Sequence, residues 1–231
     1  MKSTESAPSG AEGHRERLRA RFLKSGFAGF HDYEALELAL TYAIPRRDVK
    51  PIAKELLRRF DSVAGVLGAE LDELAATAGM GEKSAAFVKT IDALIGLAFE
   101  RRVVSKRKPL ATVSEAAEFF RRSIGNKPNE RFKAIYLNNR NEPLFVEDVG
   151  EGTVSEVAAY PRRIVENAIR TRAASVIVGH NHPGGFAKPS RDDDRLTKQI
   201  KDALAAVSIP LQEHLIVTES EFYSYRKMGF L

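Results

Sequence analysis

Two histidines separated by one residue are the residues best suited to chemistry in this chain. They lie in the segment Gly179–Gly185, which follows an apolar run, Ala174–Gly179, that predicts a buried strand. Residues two apart in an extended chain point to the same side. His180 and His182 can therefore present their imidazoles to one ion, and the proline and glycines that follow end the strand and leave room above it.

A carboxylate completes the predicted site. Asp193 stands eleven residues after His182, near the start of a predicted helix, although chemistry alone leaves the choice open within Asp192–Asp194. Two neutral imidazoles and one carboxylate, with a fourth position open to water, form the ligand set of a catalytic zinc. A simpler interpretation needs no metal, because Ser190-x-x-Asp193 is also a helix-capping pattern and a His-x-His pair alone is weak evidence.

Composition narrows the class of protein. The 231 residues suffice for one large domain or two small ones, and the absence of cysteine excludes disulfides and thiolate metal sites and fits a reducing cytoplasm. Met1–Gly13 lacks the apolar core of a secretory signal, and no apolar run is long enough to span a bilayer. We therefore predict a cytoplasmic protein with no membrane partner. Residues 1–108 hold 19 Lys and Arg against 15 Asp and Glu, which hints at a polyanionic partner for that half.

The first half of the chain has a helical pattern and no strand-period segment before residue 103. Residues 1–13 are predicted to be a disordered tail, and residues 14–102 a helical domain, with Asp32 as an N-cap. The helices are predicted at Tyr33–Ala43, Val49–Phe60, Leu71–Ala78 and Ser84–Phe99, with a short helix through Val66 and Leu67 that Asp61 or Ser62 caps.

A basic linker, residues 103–110, separates this half from a mixed α/β pattern at residues 111–231. The predicted order is helix, two strands, helix, strand, helix, strand: Ser114–Ile124, Arg131–Leu137, Leu144–Val149, Pro161–Thr171, Ala174–Gly179, Asp192–Ala206 and Glu213–Thr218. An all-helical half followed by strands mixed with helices predicts an α+β protein of two domains.

The spacing His180-x-His182-Pro183, six residues, Ser190-x-x-Asp193 resembles the metal motif of the JAMM/MPN metalloproteases. The surrounding sequence resembles the RadC (UPF0758) branch of that family, and the resemblance extends over nearly the whole chain from Arg15. Further RadC-like segments are Gly152–Ser155, Tyr160–Arg162 and Glu213–Val217. The resemblance implies a JAMM/MPN-like (cytidine-deaminase-like) domain with a mixed sheet flanked by helices.

The resemblance also implies roles for residues. One zinc per chain would be held by the two histidines and Asp193. Glu130 would be the general base and Ser190 a donor to the developing oxyanion, in the hydrolysis of a peptide or isopeptide amide of an unknown protein substrate. Spacing alone does not exclude four other glutamates as the base: Glu142, Glu147, Glu151 and Glu156.

Two positions depart from the RadC pattern. Gly184 replaces the usual serine after His-x-His-Pro, which we expect to loosen the turn, and Glu213 replaces the usual aspartate before the late histidine. That histidine, His214, is either a residue behind the ligands, a substrate contact or a structural histidine with satisfied hydrogen bonds, and we favour the last. Neither departure removes a ligand.

The helical half contains a helix-hairpin-helix pattern at Ala78–Ala85. Gly79 and Gly81 would let the backbone approach a phosphate, and Lys83 would add a salt-dependent contact, so non-specific DNA is a candidate partner. A Gly-x-Gly turn is also a common tight connection, and the equivalent loop, Pro45–Asp48, has no glycine.

Three functions compete at this point. The first is a zinc-dependent metallopeptidase. The second is a DNA-binding, repair-associated protein whose zinc domain is structural, and the third is a metal-dependent nuclease that uses both halves. A zinc nucleobase deaminase is disfavoured because its cysteine ligands are absent.

Overall fold

The structure is a computed structural model that describes residues 10–151 and 160–231. The chain forms two compact units, one up to Ala93 and one from Leu94. In the described residues the first unit contains helices and no strand, and the second contains a five-stranded sheet with helices. The predicted α+β class is confirmed.

The first unit is built from short helices around an apolar core that includes Leu40, Leu56 and Leu74. The helices are α1 (Gly10–Ser25), α2 (Asp32–Ala43), α3 (Lys50–Phe60), α4 (Val63–Gly68), α5 (Leu71–Ala75) and the first part of α6 (Glu82–Lys106). Helix α2 is capped one residue earlier than predicted, at His31, because the Glu34 carboxylate accepts the His31 N–H at 3.0 Å.

Helix α6 does not end where the sequence pattern suggested. It continues past residue 102 to Lys106, so residues 103–106 of the predicted linker are helical. Phe99 and Val103, one turn apart on this helix, pack against an apolar cluster of the second unit, and Lys106 is favourable near the helix C-terminus. The helix ends where Arg107 takes a left-handed conformation (φ 46°), two residues before Pro109. Helix α1 likewise begins at Gly10, inside the segment predicted to be disordered; residues 1–9 lie outside the described residues.

The second unit has a mixed sheet in the order β2-β1-β3-β4-β5. Neighbouring strands are antiparallel except β3 and β4, which are parallel. The elements are α7 (Val113–Ile124), β1 (Arg131–Leu137), β2 (Pro143–Glu151), α8 (Tyr160–Arg170), β3 (Ser175–Asn181), α9 (Arg191–Ala205), β4 (Leu211–Val217) and β5 (Phe222–Ser224). The sequence pattern did not predict β5, whose three residues are too few to show a period.

Strand β3 lies at the centre of the sheet, and all seven of its residues are buried. On one face, Val176 and Val178 pack in a cluster with residues of α8 and α9. On the other face, Ile177 packs with residues of α7. The strand extends two residues beyond the predicted end at Gly179, through His180 to Asn181, because these positions pair with β1 and β4.

Gly179 allows α7 to approach β3 closely. A Cβ atom at this position would lie 2.7 Å from Cδ1 of Phe120, a fully buried ring that cannot easily move. The glycine therefore sets the spacing between α7 and the strand that carries the two histidines.

We predict that Gly179→Ala lowers the free energy of unfolding by about 1–3 kcal/mol, because an added methyl group overpacks this contact. Denaturant unfolding followed by circular dichroism would measure the change. Gly184→Ala is the matched control, since a Cβ there meets nothing within 4 Å. Equal stability of the two variants would contradict the packing argument.

In the residues that the structure describes, no helix has the length and apolar character needed to cross a membrane.

Candidate metal centre

The three predicted ligands come together at the end of β3. His180 and His182 project from the end of the strand, and Asp193 lies in the first turn of α9. Their ligand atoms all lie within 4.8 Å of one another. His180 and Asp193 are buried, and the His182 side chain is 17% exposed, so the cluster is partly open at His182.

The structure distinguishes the three consecutive aspartates. Asp193 is buried and faces both histidines, with its Oδ1 3.1 Å from His180 Nε2 and its Oδ2 3.4 Å from His182 Nε2. Asp192 forms an exposed ion pair with Arg195. Asp194 accepts a hydrogen bond from the Tyr225 hydroxyl at 2.8 Å. The first turn of α9 therefore directs Asp193, rather than Asp192 or Asp194, at the two histidines.

A buried chain of hydrogen bonds orients His180. The Thr197 hydroxyl donates its one proton to the Asp193 carbonyl at 2.6 Å, so it must accept from His214 Nδ1, also at 2.6 Å. Complete burial lowers the pKa of His214 well below its usual range, so this ring is neutral and its Nε2 carries no proton. His180 Nδ1 then donates to His214 Nε2 at 2.9 Å, which leaves His180 Nε2 as a bare lone pair.

A carbonyl orients His182 in the same way. Its Nδ1 lies 3.2 Å from the Phe186 carbonyl oxygen, which can only accept, so Nδ1 carries the proton. The neutral ring therefore also presents a bare Nε2. The loop that provides this carbonyl turns back at Gly185, which has a φ of 83°. Metal-ligating histidines commonly have their other nitrogen held in this manner.

The arrangement fits a cation. The Nε2 atoms of His180 and His182 are 3.1 Å apart, so two lone pairs face each other beside a carboxylate. Asp193 Oδ1 is buried and has no hydrogen-bond partner among the described residues, since its contact with His180 lacks hydrogen-bond geometry. Three acceptors that meet in this way repel one another unless a positive charge lies between them.

The pKa shifts express the same electrostatics. Burial raises the pKa of the Asp193 carboxyl, but its interactions with His180 and His182 outweigh burial and hold the pKa well below its usual range. The interaction with Asp193 raises the pKa of His182, against the opposing effect of burial, and the charge of Glu130 adds to the increase. The site therefore attracts positive charge, either as a proton on His182 or as a metal ion.

Glu130 lies beside this cluster. It directly precedes β1, whose residue Phe132 is paired with His180 on β3. Continuing that antiparallel register places residue 130 opposite residue 182. The contribution of Glu130 to the pKa of His182 agrees with this position.

The competing glutamates are in other surroundings. Glu142 accepts a hydrogen bond from Asn138 at the opposite end of β1. Glu147 is buried and occupied by the Tyr136 hydroxyl and by Arg163. Glu151 ends β2, and the position of its side chain is not described; Glu156 and the RadC-like segment Gly152–Ser155 lie outside the described residues.

Ser190 is the N-cap of α9, as the sequence predicts. Its hydroxyl accepts the Asp193 N–H at 3.1 Å and donates to Asp193 Oδ2 at 2.7 Å. The single hydroxyl proton is thus directed at the carboxylate in this structure. An oxyanion role requires that proton to turn towards the substrate.

Sequence reasoning missed two residues that organise the site. Thr197 lies one helical turn after Asp193, a spacing that places both on one face of α9. Asn181 lies between the two histidines and is completely buried. His214 was favoured as a structural histidine with satisfied hydrogen bonds; its bonds are satisfied, but one of its partners is His180.

The predicted phosphate-binding residues lie in the first unit. Gly79, Gly81 and Lys83 line a cavity of about 350 Å³ together with residues of the loop after α2, among them Pro45 and Arg47. Gly79 has a left-handed backbone conformation (φ 86°), and a Cβ atom there would lie 2.8 Å from the Ile52 side chain. Backbone conformation and packing therefore also favour glycine at this position, without any phosphate.

Comparison with known proteins agrees with the geometry. Residues 110–230 match the RadC family, described as a RadC-like JAB domain. The chain is 37% identical over 226 residues to a UPF0758 protein of Fusobacterium nucleatum, covering 95% of this chain and 97% of that protein. It is 35% identical to a UPF0758 protein of Ruegeria pomeroyi, covering 97% of this chain and all of that protein, and 35% identical to one of Rhodobacter capsulatus, covering 93% of this chain and all of that protein. The chain therefore belongs to the RadC (UPF0758) family, and its second unit carries a JAB domain of the JAMM/MPN superfamily.

Proposed function

We propose that the protein is a zinc-dependent hydrolase that cleaves a peptide or isopeptide amide bond. The observation that carries the proposal is the convergence of three acceptor atoms from His180, His182 and Asp193, with a buried carboxylate oxygen that has no hydrogen-bond partner in the described part of the chain. Membership of a superfamily whose members are generally hydrolases supports the same conclusion.

The donor set favours zinc. Imidazole nitrogen suits zinc among the common divalent ions, and three protein ligands leave a position open, whereas a structural zinc is almost always held by four. When bound, zinc polarises a carbonyl and lowers the pKa of a water molecule. The two histidines and Asp193 would hold the ion.

Residues of the chain would carry out the proton transfer and stabilise the carbonyl oxygen of the substrate. The Glu130 carboxylate would accept a proton from the attacking water and transfer it to the leaving nitrogen. The Ser190 hydroxyl would donate to the carbonyl oxygen of the substrate once its proton leaves Asp193 Oδ2. The partly open side of the cluster, at His182, would admit the scissile bond.

We predict that the purified protein binds one zinc ion per chain and that His182→Ala weakens zinc binding by more than about 100-fold, because a ligand is lost. Elemental analysis and competition with a chelating dye would measure stoichiometry and affinity. His31→Ala, which removes an exposed histidine in the first unit, should retain the ion. Zinc-free wild-type protein after zinc loading and dialysis would contradict the proposal.

We predict that Glu130→Gln retains zinc and loses about 10²- to 10⁴-fold in the rate of amide hydrolysis, because the proton acceptor is removed. The assay would use zinc-loaded protein and a panel of peptide and isopeptide substrates. Glu142→Gln, at the other end of β1, is the matched control and should keep the wild-type rate. Zinc-dependent hydrolysis at the full rate by Glu130→Gln would rule out this role.

A second candidate function is non-specific DNA binding by the first unit. The observation in its favour is that the two loops predicted as hairpins border the same cavity. The loop without glycine achieves its turn through Arg46, which is left-handed (φ 65°), while Arg15 donates to the Ile44 and Arg47 carbonyls. Backbone amides and Lys83 would contact phosphates there.

If this function holds, duplex DNA should bind with an affinity that falls as salt rises, and Lys83→Ala should reduce the slope of that dependence by about one ion. Fluorescence anisotropy at several salt concentrations would measure it. Lys198→Ala, in the second unit, is the control and should leave the slope unchanged. An unaltered slope in Lys83→Ala would contradict the predicted contact.

A further inference from the structure

Asn181 separates the two histidines but faces away from them. Alternation along β3 sends His180 and His182 to the face of α9 and Asn181 to the face of α7. Its side chain is fully buried. A buried amide is stable there only if its polar atoms are paired, so its partners indicate what it holds.

The partners of Asn181 bracket Glu130. Oδ1 accepts the N–H of Arg131 at 2.7 Å, immediately after Glu130. Nδ2 donates to the carbonyl of Asn129 at 3.1 Å, immediately before Glu130, and to the carbonyl of Lys127 at 3.0 Å. One side chain therefore binds the backbone on both sides of the glutamate and uses both of its amide hydrogens.

We propose that Asn181 is the positioning residue for Glu130. Its backbone lies between the two ligands, and its side chain holds the segment that carries the carboxylate. Asn181 thus connects the two histidines directly to the segment that carries the carboxylate. The inference rests on the proposed function of Glu130, because a proton acceptor must be held to within about 0.5 Å of its productive position.

The segment that carries Glu130 lies outside the sheet. Residues 125–130 belong to no helix or strand, and they connect α7 to β1. The pairing of Phe132 with His180 anchors the strand from the following residues onward. Asn181 extends this anchoring backwards across Glu130 into the connection, where the sheet itself does not reach.

Asn138 provides a matched control. It follows β1 at the opposite end, and its side chain also makes three hydrogen bonds: it accepts from the amides of Arg140 and Glu142 and donates to the Glu142 carboxylate. Asn138→Ala therefore removes three side-chain hydrogen bonds, as Asn181→Ala does, but none of them involves the segment that carries Glu130.

The first readout needs no activity. Hydrogen exchange of the full-length protein should show the Arg131 amide exchanging about tenfold faster in Asn181→Ala, because its acceptor is lost. In Asn138→Ala the faster exchange should be confined to Arg140 and Glu142. Unchanged exchange at Arg131 would overturn the proposal. If Asn181→Ala does not fold, Asn181→Asp keeps the acceptor for Arg131 but removes both donors, and faster exchange is then expected at the amides of Asn129 and Glu130, which follow the two released carbonyls along the chain.

The second readout reports the position of the carboxylate. In cobalt-loaded protein, Glu130→Gln should lower the pH midpoint of the visible spectrum by about half a unit, because a negative charge near the ion is removed. In the Asn181→Ala background the same substitution should shift the midpoint by less than half as much. Asn138→Ala should leave the shift at its full size.

The outcomes separate the two proposals. An equal Glu130→Gln shift in both backgrounds would overturn the positioning role even if the enzyme is active. Failure of the zinc-loaded wild type to hydrolyse any amide would remove the proposed function, and the exchange and spectral readouts would still support or overturn the role of Asn181.

Discussion

The site depends on the repulsion between three acceptor atoms that the fold forces together. When His182 is neutral, two bare imidazole nitrogens lie 3.1 Å apart, and a buried carboxylate lies against both. The protons that could relieve the repulsion are on the far nitrogens, where His214 and the Phe186 carbonyl hold them. A positive charge, either as a proton on His182 or as a metal ion, therefore stabilises this arrangement. The hydrogen bonds with His214 and with the Phe186 carbonyl keep both imidazoles in this orientation.

Strand β3 can hold these groups close together because it lies at the centre of the sheet and is buried on both faces. One face directs the two histidines at α9, whose first turn supplies the carboxylate. The other face directs Gly179 at Phe120 and Asn181 at the connection before β1. Residues 179–182, at the end of β3 and directly after it, thus contact α7, α9 and the connection before β1, and alternation directs neighbouring side chains to opposite faces.

The departures from the RadC pattern have different consequences. Glu213 is buried, and its carboxylate accepts hydrogen bonds from the Ser224 hydroxyl and the Arg226 amide, so it binds β5 and the turn after it to β4. It thereby supports the strand that carries His214. A Cβ atom at position 184 would meet nothing within 4 Å. His180 and His182 face each other although the usual serine is absent from this turn. Neither departure weakens the geometry of the cluster.

The sequence by itself determined the fold class, most helix and strand positions and the two histidines, because periodicity and spacing are local properties. It also excluded thiolate ligands for any metal, since the chain has no cysteine. Tertiary structure decided the rest. Only packing could select Asp193 over its two neighbours, bring Thr197 and His214 behind His180, and show that Asn181 is more than a spacer. These choices depend on contacts between residues far apart in the chain, such as Asn181 with Lys127, and no local pattern encodes which buried polar atoms will meet.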